Sequence, residues 1–258
     1  MRGLIVLALV ATFPSLAMAE LHTESVEYRH GDTVLEGYLA YDPTLPAPRP
    51  GVLIVHEWKG LNDYAKRRAE QLAALGYVAF AADMYGKGIL AKDHAEAGQL
   101  SGTFRQDRQL MRARATAALD VLRGHERVDA ARLAAIGYCF GGTTVLELAR
   151  AGTDLRGVAS FHGGLGAPTP AQTGGVTARV MVFHGADDTF ISPEELAVFE
   201  AEMQSAGADY QIVQYPGAVH SFTVPDAGND PSKGMAYNAS ADADSWQKLK
   251  AFLAEIFK

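Results

Sequence analysis

The residues best suited to chemistry in this chain are a sulfur, a carboxylate and an imidazole, each set just beyond an apolar run. Gly137-Tyr138-Cys139-Phe140-Gly141 places a nucleophile between two glycines, and Gly142 follows. A Gly-x-nucleophile-x-Gly turn carries a strand into a helix so tightly that side chains at the flanking positions would collide. The nucleophile then lies at a helix N-terminus, where the dipole and free N–H groups favour negative charge. Phe183-His184-Gly185-Ala186-Asp187-Asp188 brings two carboxylates that compete for one role. The Gly-x-x-Asp spacing favours Asp188 over Asp187. His184 precedes the acid and reads as a structural histidine. Val219-His220-Ser221-Phe222 supplies the later imidazole. Together these three could run nucleophilic acyl transfer. His220 would take the proton of Cys139 and return it to the leaving group, and Asp188 would orient the ring and stabilise the imidazolium.

Far-separated residues can meet only if secondary structure brings them to one edge. Apolar runs at 52–55, 77–82, 133–138, 157–161, 179–183 and 210–215 read as strands. Short continuous runs of this kind fit strands covered on both faces. Segments 26–29 and 34–41 add two strands around the turn Gly31-Asp32. Between them fall helices, one with Asn62 as N-cap and Gly76 as stop, others over 105–123, 141–151, 193–206 and 245–257. The stretch 84–103 reads as loop and short helix. The arginines of 105–123 read as a solvated helix face, because acidic residues are interspersed. Alternating strands and helices imply an α/β fold with a mostly parallel sheet and helices on both faces, whose working edge is the carboxyl ends of the strands. The chain order nucleophile, acid, histidine is that of the α/β-hydrolase fold.

The composition agrees with a folded chain and excludes other classes. The 258 residues are 48% hydrophobic and 21% charged, with formal net charge −7. A disordered chain would be less apolar, and an acidic one repels nucleic-acid backbones. No His/Cys cluster has zinc spacing, and His56-Glu57 is not followed by the second histidine of a zincin. No cofactor is expected. Residues 1–19 combine a basic start, an apolar run and Ala17-Met18-Ala19, which is the layout of a secretory signal peptide cut after Ala19. The expectation is an exported, secreted or periplasmic protein whose mature chain, 20–258, is one domain free of the membrane. The sole cysteine, Cys139, cannot form an intramolecular disulfide.

Five segments together resemble the dienelactone hydrolase family over roughly 34–258. They are the elbow Gly137-Tyr138-Cys139-Phe140-Gly141-Gly142, the segment His56-Glu57-Trp58-Lys59-Gly60-Leu61-Asn62, the turn Asp83-Met84-Tyr85-Gly86, the Asp188 turn, and His220-Ser221-Phe222. The resemblance implies that Glu57 lies near the resting thiol, holds it protonated, and moves away when substrate arrives. It implies an oxyanion hole of two backbone N–H groups, from Phe140 and Trp58, with the Trp58 ring lining the acyl pocket. The dienelactone hydrolases that name the family hold a substrate carboxylate with two arginines. This chain carries Lys87 where the first would lie and Val224 where the second would, so a changed substrate pocket is implied. Tyr85, His162 and Tyr237 are further pocket candidates beside Lys87. The loop 223–238, rich in Pro, Gly and Asn, should form one wall.

The activity these residues imply is hydrolysis of a small-molecule ester or lactone through a thioester acyl-enzyme. Two other classes fit a cysteine at this place. A non-catalytic binding protein on the same fold would typically have lost a member of the triad, and this chain keeps all three. A thiol redox protein would want a resolving cysteine, which this chain lacks.

Overall fold

The structure, a computed structural model, describes residues 20–258; segment 1–19, expected to be a signal peptide, lies outside the described residues. Eight strands form one sheet: β1 (His22–His30), β2 (Thr33–Tyr41), β3 (Arg49–Val55), β4 (Val78–Ala82), β5 (Val128–Tyr138), β6 (Gly157–Phe161), β7 (Arg179–Gly185) and β8 (Tyr210–Tyr215). Their spatial order is β1-β2-β4-β3-β5-β6-β7-β8. The β1–β2 and β2–β4 pairs are antiparallel, and every pair from β4 to β8 is parallel.

The continuous apolar strands are two-faced. On β3, Leu53 and Val55 join one core while Val52 and Ile54 join the other. On β4, Val78, Phe80 and Ala82 face the first core and Ala79 and Ala81 the second. Side chains alternate along a strand, so a strand buried on both faces has no position left for a polar residue. The first core is closed by α3 (Arg108–Arg123), α4 (Phe140–Arg150) and α5 (Pro193–Ala206), through Met111, Val145 and Phe199. The second is closed by α1 (Asp63–Ala74) and α6 (Ala239–Ile256), through Leu72, Leu249 and Leu253.

One stretch departs from the pattern expected of it. Residues 84–103 hold most of α2 (His94–Gln106), a full helix, and the helix anticipated over 105–123 is two helices broken at Asp107. Two aspartate caps account for this. The Asp93 side chain accepts the Glu96 N–H at 2.9 Å, and Glu96 accepts Lys92 N–H in return. Asp107 leaves helical geometry and its side chain accepts Leu110 N–H at 2.8 Å, starting α3 afresh. A short carboxylate competes with the helical backbone for its own N–H groups, so it ends one helix and begins the next.

Register sets the working edge. Val55 pairs with Gly137, Tyr138 with Phe161, and Phe161 with Phe183. The rings of Tyr138, Phe161 and Phe183 stack across three strands at 4.7 and 4.6 Å between centroids, a floor beneath that edge. The turn after β4 is fastened by one carboxylate: Asp83 Oδ1 accepts Tyr85 and Gly86 N–H, and Oδ2 accepts Glu36 N–H. Asp83→Ala leaves three donors without acceptors. It should cost about 2–4 kcal/mol in urea unfolding. A loss below ~0.5 kcal/mol would show that the turn does not depend on these bonds.

Candidate active site

Cys139 caps α4 with φ 52° and ψ −111°, a conformation rarely adopted by a residue with a side chain. The glycines around it make that turn possible. A Cβ on Gly137 would overlap the Gly141 carbonyl, and one on Gly141 would overlap the Val55 carbonyl. A Cβ on Gly142 would stand 2.6 Å from Ser160 Oγ. Cys139 N–H is held by the Phe161 carbonyl at 2.9 Å.

The sulfur meets the imidazole and the imidazole meets the acid. His220 Nε2 lies 3.0 Å from Cys139 Sγ, and His220 Nδ1 lies 2.8 Å from Asp188 Oδ2. All three residues are buried. Asp188 Oδ1 also accepts Phe190 N–H at 2.9 Å, so both carboxylate oxygens are engaged. Asp187 is exposed and His184 is buried, and neither bonds to His220. Burial pushes His220 towards the neutral form. The charges and hydrogen bonds of Cys139 and Asp188 outweigh this and lift its pKa to about 10.

The loop after β3 stands opposite. His56 Nδ1 bonds the Glu57 carbonyl at 2.5 Å, and Met84 N–H donates to His56 Nε2, so the proton resides on Nδ1. Tyr85 is buried and its hydroxyl donates to the Trp58 carbonyl at 2.8 Å. These bonds brace the Trp58 backbone beside Phe140, the first residue of α4. Neither Trp58 N–H nor Phe140 N–H has a hydrogen-bond partner among the described residues.

A cavity of about 430 Å3 opens over the sulfur. Trp58, Cys139 and His220 line it, with Thr143, Phe190 and Met235. Met235 is the contribution of the loop 223–238. The other anticipated pocket residues lie elsewhere. Tyr85 braces the Trp58 loop and does not line the cavity. Lys87 is exposed and paired with Glu27 at 2.9 Å and Glu36 at 3.2 Å on the β1–β2 side. His162 is buried behind the imidazole, its ring edge-on to His220 and its Nε2 bonded to Thr223 Oγ1 at 2.8 Å. Burial and the neighbouring His220 and Arg68 charges hold His162 well below the usual histidine range, so it is neutral. Tyr237 donates to Asp242 on α6. Val224, like Lys87, is no part of the cavity; it is buried in the second core.

The cavity's charged lining is Arg105, Arg108 and Glu195, none of them among the residues expected from sequence spacing. Glu195 follows the α5 cap Ser192, whose side chain accepts Glu195 N–H. Its Oε1 in turn accepts Leu165 and Gly166 N–H, each at 2.8 Å. The Ser-x-x-Glu spacing was the available signal. Among the described residues no group of three His, Cys, Asp or Glu side chains is arranged to hold a metal ion.

An eight-stranded, mostly parallel sheet with Cys139 at a strand-to-helix elbow and Asp188 and His220 beyond later strands is an α/β-hydrolase. The model of the dienelactone hydrolase family matches residues 35–257, and the chain belongs to that family. Two solved chains superpose closely at 40% identity, each covering 92% of this chain and 99% of its own length. One is named m3DLH, with a TM-score of 0.89. The other is a dienelactone hydrolase-like promiscuous phosphotriesterase from metagenomic libraries, with a TM-score of 0.88. A Bradyrhizobium protein named "Probable 2-oxo-3-(5-oxofuran-2-ylidene)propanoate lactonase" is 30% identical over 199 residues, 72% of this chain and 79% of that protein.

Glu57 is close enough to His220 for the charge of that ring to act on its carboxyl. It makes no hydrogen bond to Cys139, whose sulfur faces His220, and its Oε1 is buried without a partner. Burial raises its pKa to about 7, against smaller lowering effects of His220, Lys59 and Ser221. In the fold this carboxyl keeps its proton to about pH 7, against an ordinary value of 4.5. Stability therefore falls as pH rises between those values, and the full cost is present above pH 7. Glu57→Gln should raise stability by roughly 1–3 kcal/mol at pH 8.5 and by almost nothing at pH 4. Thermal melts across pH test this, and a constant difference at every pH would contradict it.

Proposed function

We propose that this chain hydrolyses carboxylic ester or lactone bonds through a thioester formed on Cys139. The observation that carries the reading is the unbroken Cys139–His220–Asp188 line, at 3.0 and 2.8 Å, on the floor of an open cavity. His220, whose pKa of about 10 favours the protonated imidazole, holds the Cys139 proton while sulfur attacks the carbonyl carbon. The oxyanion forms against the Trp58 and Phe140 N–H groups, preorganised donors that cost little to reorganise. Collapse of the tetrahedral species expels the alcohol, which leaves with the proton from His220. Water then gives a proton to His220 and attacks the thioester. The second collapse frees the acid and returns the proton to sulfur. For a lactone the expelled alcohol remains part of the acyl chain, and the second collapse releases one hydroxy acid. Asp188 holds the tautomer throughout and offsets the imidazolium charge. Glu57, protonated near neutral pH, does not add a second anion beside His220, which would trap the imidazolium. Residues 1–19 support export, with Glu20 as the first residue of the mature protein.

A second reading rests on the 40% identity to a chain named as a promiscuous phosphotriesterase: the same sulfur attacks phosphorus of a neutral triester.

With a short activated ester, Cys139→Ala, His220→Ala and iodoacetamide treatment should each lower turnover at least ~1,000-fold, and Asp188→Asn by about 100- to 10,000-fold. Unchanged turnover after any of these would mean that another site acts. Triester turnover lost in the same variants would add the second reading. Sulfenic acid formation without turnover of either substrate would favour a redox protein.

A further inference from the structure

The cavity carries two cations that the reaction above does not use. The break at Asp107 turns the chain between α2 and α3, so that Arg105 and Arg108 both reach the cavity wall that also holds Cys139 and Thr143. Asp107 lies between them but is engaged in capping Leu110 N–H. Arg112 and Arg150, whose charges act on Arg108, are paired with acids. Arg112 pairs with Glu147 at 2.8 Å, and Arg150 pairs with Glu147 at 3.4 Å and Glu202 at 2.7 Å. Glu195, the carboxylate of the cavity, accepts two backbone N–H groups and pairs with no arginine.

Arg105 and Arg108 form no ion pair among the described residues. Arg105 is exposed at the mouth, whereas Arg108 is partly buried. Arg108 Nε is buried without a hydrogen-bond partner, and its Nη1 reaches only Met111 Sδ, a weak acceptor, at 3.5 Å. A buried charged donor with no acceptor is unfavourable, and native structures rarely keep one without a reason. Two unpaired guanidinium groups against one partly satisfied carboxylate leave this wall net positive. A guanidinium fork matches the two oxygens of a carboxylate or phosphate. Burial, reinforced by Arg150, Arg105 and Arg112 and opposed by Glu147, draws the Arg108 pKa down, so a bound anion would relieve unfavourable charge.

We propose that Arg108, assisted by Arg105, is a specificity-determining subsite for an oxyanion group borne by the substrate, a carboxylate or a phosphate. The proposal rests on the ester and lactone reading for its substrate but not for its binding. It also relocates anion recognition within this chain, from the Lys87 and Val224 positions to the α2–α3 corner.

The test compares two activated esters with the same nitrophenol leaving group: a neutral butyrate and a glutarate monoester, which carries a free carboxylate. Arg108→Gln should lower the ratio of kcat/KM for the anionic over the neutral ester about 10- to 100-fold, mainly through KM. Arg108→Lys should recover part of it, and Arg105→Gln should have a smaller effect. An equal loss on both esters would make Arg108 structural and overturn the proposal. A binding measurement separates this from the chemistry. In the Cys139→Ala chain, calorimetry with glutarate and with inorganic phosphate should show at least one binding, and adding Arg108→Gln should weaken it tenfold or more. Which of the two binds identifies the group. If neither binds, or if the second substitution changes nothing, the subsite is absent. If neither ester turns over while glutarate or phosphate binds through Arg108, the hydrolase reading fails and the subsite stands.

Discussion

Everything at this site depends on one backbone turn. Cys139 can hold φ 52° and present its sulfur above the sheet only because Gly137, Gly141 and Gly142 have no side chains where β5 meets α4. The strain is local, and the surroundings hold it in place. Val55 and Gly137 lie in register, Cys139 N–H is pinned to Phe161, and three stacked rings support the floor. The other two non-glycine residues with positive φ among the described residues are His162 and Ser221, at 40° and 58°. One lies behind His220 and the other follows it. Sparsely populated conformations persist where surrounding structure over-determines them, and here all three ring the same imidazole.

The electrostatics follow from that crowding. Burial alone would leave His220 neutral, but a sulfur on one nitrogen and a carboxylate on the other reverse the balance. Asp188 manages this while both its oxygens are occupied. The surroundings are otherwise kept free of competing charge: His162 is neutral, and Glu57 holds its proton to about pH 7. The cavity's free positive charge stands apart, on the α2–α3 corner.

How much of this was legible depends on the kind of signal. The strands were visible because double burial demands unbroken apolar runs, and Val52–Val55 and 77–82 could be little else. The elbow was visible because its glycines are a steric necessity. Asp188 was separable from Asp187 by spacing, and the geometry agrees: one is buried against His220, the other exposed. What spacing could not reach was contact between elements. Arg105 and Arg108 look like a solvated stripe on one long helix until Asp107 is recognised as a cap that turns the chain. Lys87 occupies a plausible position in sequence, yet two glutamates on neighbouring strands hold it outside the cavity. His162 and Tyr85 are close to the chemistry but face its supports, one Thr223 and the other the Trp58 carbonyl. Proximity along the chain does not give the direction of a side chain.

Whether Cys139 carries the acyl group can be decided by catching the intermediate. The protein is mixed with an excess of an activated ester, quenched in acid within milliseconds to seconds, and measured by intact-mass and peptide mass spectrometry. A thioester on Cys139 requires one acyl group per chain on the peptide containing it, with a decay rate that accounts for steady-state turnover. Ester turnover with no such adduct, or with the acyl group on another residue, would contradict it.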